Sequence, residues 1–289
     1  MRTLRTDLAL ERHAMLGENV PEGVITEETR ADGITLTKTE VRTLPAAEAL
    51  GKPRGTYYTA EMDGFPGADA FTDDRLRLLT SALEALLPRQ GGVLVAGLGN
   101  LDVTPDALGP KCAAMVLATR HIDRATKEKL GLPQLREVSV LAPGVTGRTG
   151  VEAAEIIAGI TQKVKPSCVI AVDALAAADT RRLARTVQIS SAGIEPGSGV
   201  GNARRALNRE TLGVPVIAVG VPTVVDALSL AQDAYGAPSP PEVSGPLAQM
   251  MVTPRDIDTV VDGAARLVAL AVNCALQKNL SPAELMGLM

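Results

Sequence analysis

The sequence predicts an α/β fold, a mainly parallel sheet flanked by helices in three layers, with a small meander at the N-terminal side. Three observations carry that expectation. From about residue 93 onward, short and mostly apolar runs alternate with stretches of helical period, the pattern of strands buried on both faces. The residues are 46% apolar but only 2% aromatic, with no Trp, so the core is built from Val, Ile, Leu, Ala and Met. Most apolar runs are followed by a glycine-rich or polar loop, and in a parallel sheet those loops form the ligand crevice.

The elements follow in order. Up to about residue 90 the chain is polar and mixed, with a weak strand signal at 33–41. Leu76, Leu79, Leu83, Leu86 and Leu87 recur at helical spacing, so a helix is expected over 73–87, with Thr72 or Asp73 as its N-cap. Apolar runs place strands at 93–96, 138–141, 168–172, 187–189 and 214–219. Helices are expected near 109–121, 150–163, 224–232 and 255–277. Four prolines and two glycines in 235–246 mark an exposed connection. A chain of 289 residues is compatible with one α/β domain.

Composition narrows the chemistry. With 29 basic and 33 acidic side chains the net charge is −4, which offers no extended surface for neutralising phosphates, so nucleic acid is not an expected direct partner. The N-terminus lacks the apolar run of a signal peptide and no later segment is a charge-free span, so the expectation is a soluble cytoplasmic protein without a membrane partner. Cys112, Cys168 and Cys274 are far apart in apolar surroundings and read as buried free thiols. His13 and His121 are the only histidines, which leaves no histidine-rich zinc site and little material for a Ser-His triad.

Two strand-ending loops carry carboxylates. Gly97-Leu98-Gly99-Asn100-Leu101-Asp102-Val103-Thr104-Pro105-Asp106 runs toward a helix, with Pro105 fixing the approach of Asp106. In Ala171-Val172-Asp173-Ala174, an Asp interrupts an apolar strand end, where a carboxylate costs free energy unless paired, hydrogen-bonded or protonated. On one reading Asp106 and Asp173 meet as an acid/base pair sharing a proton and activate water. On the other, Asp106 caps a helix and Asp173 forms a turn. Loops 143–150 and 196–202 could present N–H groups to an anion or simply make tight turns. Gly97-Leu98-Gly99 begins like a dinucleotide fingerprint, but Asp102 stands where its third glycine belongs, and no glycine loop ends in Gly-Lys-Ser or Gly-Lys-Thr.

Several ordered segments resemble the germination protease family, whose members degrade small acid-soluble proteins of the spore. They are Arg5-Thr6-Asp7-Leu8-Ala9-Leu10-Glu11, the loop from Gly97 through Asp106 to Lys111, Ala142 to Gly150, Ala171 to Ala177, Ile194 to Asn202, Gly220 to Ala227, and Met251-Val252-Thr253-Pro254. The resemblance implies an aspartate-dependent endopeptidase with Asp106 and Asp173 catalytic and no cofactor or metal. It implies a zymogen that cleaves itself between Asp7 and Leu8, so that 1–7 is a propeptide and 8–289 the peptidase domain. It also implies a homotetramer working in the developing spore and spore core. An acidic residue before the cut bond calls for a cation, with Lys111, Arg148, Arg204 and Arg205 as candidates. The segment 231–250 departs from the family, standing where other members resemble one another in a longer insertion. Two other functions remain to be weighed: a metal-dependent maturation peptidase of related fold with the aspartates as ligands, and a non-catalytic binder of spore proteins.

Overall fold

The computed structural model describes residues 6–31, 33–65, 74–201, 204–235, 246–247 and 250–289. The expected cap at residues 72–73 and most of the 235–246 connection lie outside them, as does most of the expected propeptide. In chain order the elements are α1 (Ala9–Met15), β1 (Val24–Ala31), β2 (Ile34–Val41), α2 (Leu44–Leu50), β3 (Gly55–Glu61), α3 (Asp74–Leu86), β4 (Val93–Gly97), α4 (Leu108–Met115), α5 (Arg124–Lys129) and β5 (Val138–Leu141). They continue with α6 (Thr146–Thr149), α7 (Ala153–Val164), β6 (Cys168–Ala177), β7 (Thr186–Ser190), α8 (Arg209–Leu212), β8 (Val216–Asp226), α9 (Ala227–Tyr235), β9 (Met251–Val252), α10 (Ile257–Leu276) and α11 (Pro282–Leu288).

The strands form one nine-stranded sheet in the order β1-β2-β3-β7-β8-β6-β4-β5, with β9 on β8. The expected α/β fold is what the chain adopts, and β5, β4, β6 and β8 run parallel. The N-terminal meander continues this sheet through antiparallel pairing of β3 with β7 and of β7 with β8. Run 187–189 is therefore an antiparallel strand that joins the two halves.

Strand alternation shows the three layers directly. Val93 and Val95 of β4 and Cys168, Ile170 and Val172 of β6 face a large core containing α3, α4 and α10. Leu94 and Ala96 of β4 with Val169 and Ala171 of β6 face the opposite core, against Ala154 and Ile157 of α7. Successive side chains on a strand point to opposite faces, so a strand buried on both reads as a continuous apolar run. By length and hydropathy α10 could cross a membrane, but most of it is buried inside this fold as the central helix of the larger core.

Two helices differ from expectation. The run after residue 109 stops being helical at Met115, where α4 ends against α10. There Asn273 donates from Nδ2 to the Met115 carbonyl (3.0 Å) and accepts at Oδ1 from the Leu117 N–H (3.0 Å). The helix expected from 224 starts instead after Asp226, because Val224 and Val225 still belong to β8 and Asp226 Oδ1 accepts the Ser229 N–H (2.6 Å). Replacing Asn273 by Ala strands both backbone groups of the α4 exit. The expected cost is about 1–3 kcal/mol, read as a lower urea midpoint at unchanged m-value.

Candidate active site

Site geometry follows from the strand order. After β4 the chain crosses by way of α4 on one face to β5, then returns by way of α7 on the other face to β6 on the far side of β4. Connections diverging to opposite faces open a crevice at the carboxyl ends of β4 and β6, the switch point of a doubly wound sheet. Asp106 follows β4 and Asp173 lies in β6, so the topology delivers both carboxyls to that crevice.

Asp106 is positioned by backbone. The turn Thr104–Asp106 contains Pro105, and the Asp106 N–H donates to the Val103 carbonyl (2.8 Å) while its own carbonyl accepts from the Asn100 N–H (3.0 Å). Gly99, at φ +114°, lies so close that a Cβ there would stand 2.0 Å from the Asp106 carbonyl oxygen, so only glycine closes this loop. Asp106 does not cap α4: the N-cap is Ala107, and no side chain fills that role.

Asp173 pairs with Gly220 of β8 and is 5% exposed. Its Oδ1 accepts the N–H of its neighbour Ala174 (2.9 Å), and because it lies inside β6 it forms no turn. Burial pushes its carboxyl well above the ordinary carboxylate range, and the charges of Asp106 and then Asp7 push it further. Asp106 is less deeply buried; burial raises it too, against a hydrogen bond from Asn100.

Asp7, Asp106 and Asp173 line one cavity of about 480 Å³, together with Gly144, Thr146 and Thr223. The expected cleavage pair lies at its rim. Asp7 faces the cavity, whereas Leu8 has no exposed surface and packs on Leu175, Ala177 and Ile194. Glu11 anchors the following helix by accepting the N–H groups of Ala178 (2.7 Å) and Asp179 (3.0 Å). A β-bulge between Leu175 and Ala176 bends β6 where this segment lies.

The four basic candidates separate. Lys111 is ion-paired with Asp262 of α10 and Arg148 with Asp102, and neither lines the cavity. Arg204 and Arg205 do line it, Arg204 bridging to Glu152 (2.9 Å). The loop 196–202 contributes a hydroxyl, since Ser198 Oγ donates to Asp7 Oδ1 (2.8 Å). Sequence reasoning missed Lys52 and Gln188, whose side chains both reach the Asp7 carbonyl. For Gln188 a signal existed, a polar residue inside an apolar strand; for Lys52 there was none. Among the described residues no group of three or more His, Cys, Asp and Glu converges as metal ligands would.

The germination protease family model matches residues 6–236. The germination protease of Caldanaerobacter subterraneus is 38% identical over 98% of this chain and 97% of its own length, and that of Clostridium perfringens 36% identical over 97% of each. The Bacillus cytotoxicus germination protease is 46% identical over 80% of this chain and 65% of its own. Among solved structures, the [NiFe] hydrogenase maturation protease HycI of Thermococcus kodakarensis aligns at a TM-score of 0.36 and 18% identity, over 66% of this chain and 97% of that one. Matched over most of its length both by the family model and by relatives well above 30% identity, this chain belongs to the germination protease family, and so to the peptidases.

Proposed function

We propose that the chain is an aspartate-dependent endopeptidase that cuts its own N-terminal segment between Asp7 and Leu8 and then acts on small acid-soluble proteins of the spore. The observation that carries this reading is the convergence of Asp106 and Asp173 on one cavity with Asp7, the residue before the expected cut. The charge of Asp106 disfavours ionisation of Asp173, and two acids so placed share one proton. Asp173, the more deeply buried, holds it; Asp106 stays ionised and serves as base.

Water oxygen then attacks the carbonyl carbon while Asp106 takes a water proton, and Asp173 gives its proton to the departing amide nitrogen as the C–N bond breaks. The pair ends with one proton, its roles exchanged, until that proton returns to Asp173. Activity on this mechanism rises and then falls with pH, and the two limbs belong to the pair rather than to either residue. The rest of the proposal, a homotetramer working in the spore interior, has the family resemblance as its support.

Intact mass spectrometry of the purified chain tests the reading. Wild type is expected to acquire a new N-terminus at Leu8, and Asp106→Asn and Asp173→Asn to keep residues 1–7. Processing retained in both variants would remove the carboxyl pair from the mechanism. Processing abolished by exhaustive chelation would favour a metal-dependent peptidase instead.

A further inference from the structure

The peptide unit that joins Asp7 to Leu8 is held from several sides, and its neighbours Lys52, Gln188 and Ser198 line a second cavity of about 320 Å³, which shares Asp7, Leu175, Ile194 and Glu195 with the cavity that holds Asp106 and Asp173. The Asp7 carboxylate accepts from Ser198 Oγ (2.8 Å) and from the Ala176 N–H (2.9 Å), while the Asp7 N–H donates to the Ala176 carbonyl (2.9 Å). Residue 7 thus lies along the end of β6 as an added strand residue would. A Cβ at Gly199 would come 2.1 Å from Asp7 Oδ2, so the space for this carboxylate exists because residue 199 has no side chain. The Asp7 carbonyl oxygen accepts from Lys52 Nζ (2.8 Å) and Gln188 Nε2 (3.0 Å), and Gln188 Oε1 accepts the Ala9 N–H (2.7 Å). One glutamine therefore brackets the peptide bond from both sides.

These contacts exceed what anchoring a terminus requires. Lys52 is partly exposed along its length, but its ammonium is enclosed by protein, and burial draws it below its ordinary range while the Asp7 charge opposes that shift. Burying an ammonium is costly, the charges of Asp7, Glu195 and Glu11 offset part of that cost without cancelling it, and the neutral carbonyl that Nζ touches adds little. The arrangement makes chemical sense if the oxygen acquires negative charge, as it does when water adds to the carbonyl carbon. Once Asp7 departs, Lys52, Gln188, Ser198 and the Ala176 N–H are left facing an empty place shaped for an acidic residue.

We propose that Lys52, Gln188 and Ser198 form the subsite for the residue preceding the cut bond: Ser198 with the Ala176 N–H reads its carboxylate, and Lys52 and Gln188 bind its carbonyl oxygen and stabilise the charge it gains. The chain's own Asp7 is the first occupant and external substrate the next. The proposal rests on the peptidase reading above, and its test separates the two. Full-length protein, its residues 1–7 removed where necessary by tagged wild type that is then withdrawn and the removal confirmed by intact mass, is assayed on a synthetic peptide of residues 3–14 and on the same peptide with Asn in place of Asp7.

Wild type is expected to favour the Asp peptide by about tenfold or more in kcat/KM, and Ser198→Ala to erase most of that preference. Lys52→Met and Gln188→Leu are each expected to lower kcat by about 100-fold with a smaller change in KM, because the lost interaction strengthens in the transition state. Lys52→Gln, which keeps a donor without the charge, is expected to recover part of the rate. Thermal melts identify any variant that has lost its fold, and the Lys52→Gln and Ser198→Thr variants then carry the comparison. If the folded Lys52, Gln188 and Ser198 variants keep the wild-type kcat and peptide preference while Asp173→Asn is inactive, the subsite is wrong and the peptidase reading stands. If wild type cuts neither peptide, or Asp173→Asn cuts as wild type does, the peptidase reading falls and takes the subsite with it.

Discussion

Replacing Asp173 by Asn is expected to lower peptide hydrolysis by about 10²- to 10⁴-fold, the usual range for removing a positioned acid or base, while making the folded protein more stable at alkaline pH. The two effects share one cause. Asp173 is buried beside Asp106 and Asp7, so its ionised form is disfavoured in the native state and its carboxyl titrates well above the ordinary range. Between the unfolded and folded pKa values the native state therefore binds more protons than the unfolded chain, and stability falls as pH rises through that window. An amide of the same shape does not titrate and removes that loss.

The gain at pH 8 is expected to be on the order of 1 kcal/mol or more, or about 2–4 °C in melting temperature per kcal/mol for a protein of this size. Below pH 4 the difference should shrink toward zero, because both states then hold the proton. Asp106→Asn should cost a similar factor in rate, and the double variant little more than either single one, since the residues act as a unit. Rate losses that simply multiply, or a melting curve for Asp173→Asn that tracks wild type across pH 4–8, would mean that the carboxyls work independently or that Asp173 ionises freely.

The fold was legible wherever burial wrote a periodic signal. The strands around 93–97 and 168–172 are covered on both faces, so their apolar runs are continuous and unambiguous. Legibility failed where the cause lay elsewhere in the chain. β6 extends to Ala177, past Asp173, because β8 continues beside it through a bulge. The N-terminal meander joins the main sheet because Tyr57 to Glu61 pair with β7, more than 100 residues away. Asp173 stood out for the same reason as the strands, since an Asp ending an apolar run breaks the pattern, whereas Asp106 sits in a polar loop and only the family resemblance singled it out as its partner. The residues around Asp7 did not, because Lys52, Gln188 and Ser198 lie 45, 181 and 191 positions from it and only the folded sheet brings them together.

The second large effect is expected at a residue without chemistry. Gly109, in the first turn of α4, sits directly over the hydrogen bond from the Leu98 N–H to the Val172 carbonyl (2.8 Å) that ties the end of β4 to the middle of β6. A Cβ at Gly109 would meet the Leu98 carbonyl oxygen at 2.2 Å, the Leu98 nitrogen at 2.4 Å and the Val172 carbonyl oxygen at 2.5 Å. All three are backbone atoms, one in β6 and two in the residue that follows β4, and cannot swing aside as a side-chain tip would. Helix α4 must lift instead, carrying Ala107 and Asp106 with it and opening its contact with α10. Gly109→Ala is therefore expected to cost about 3 kcal/mol or more and to depress activity in the protein that still folds, because Asp106 moves relative to Asp173. Gly159→Ala supplies the contrast. That glycine lies inside α7 with nothing within 4 Å of its would-be Cβ, so the same added methyl should stabilise by about 0.5–1 kcal/mol. Opposite signs for one chemical change, measured by denaturant midpoint, would separate close backbone approach at the β4–α4 junction from any general effect of replacing glycine. Equal behaviour of the two variants would show that α4 does not hold Asp106 against the sheet in this way.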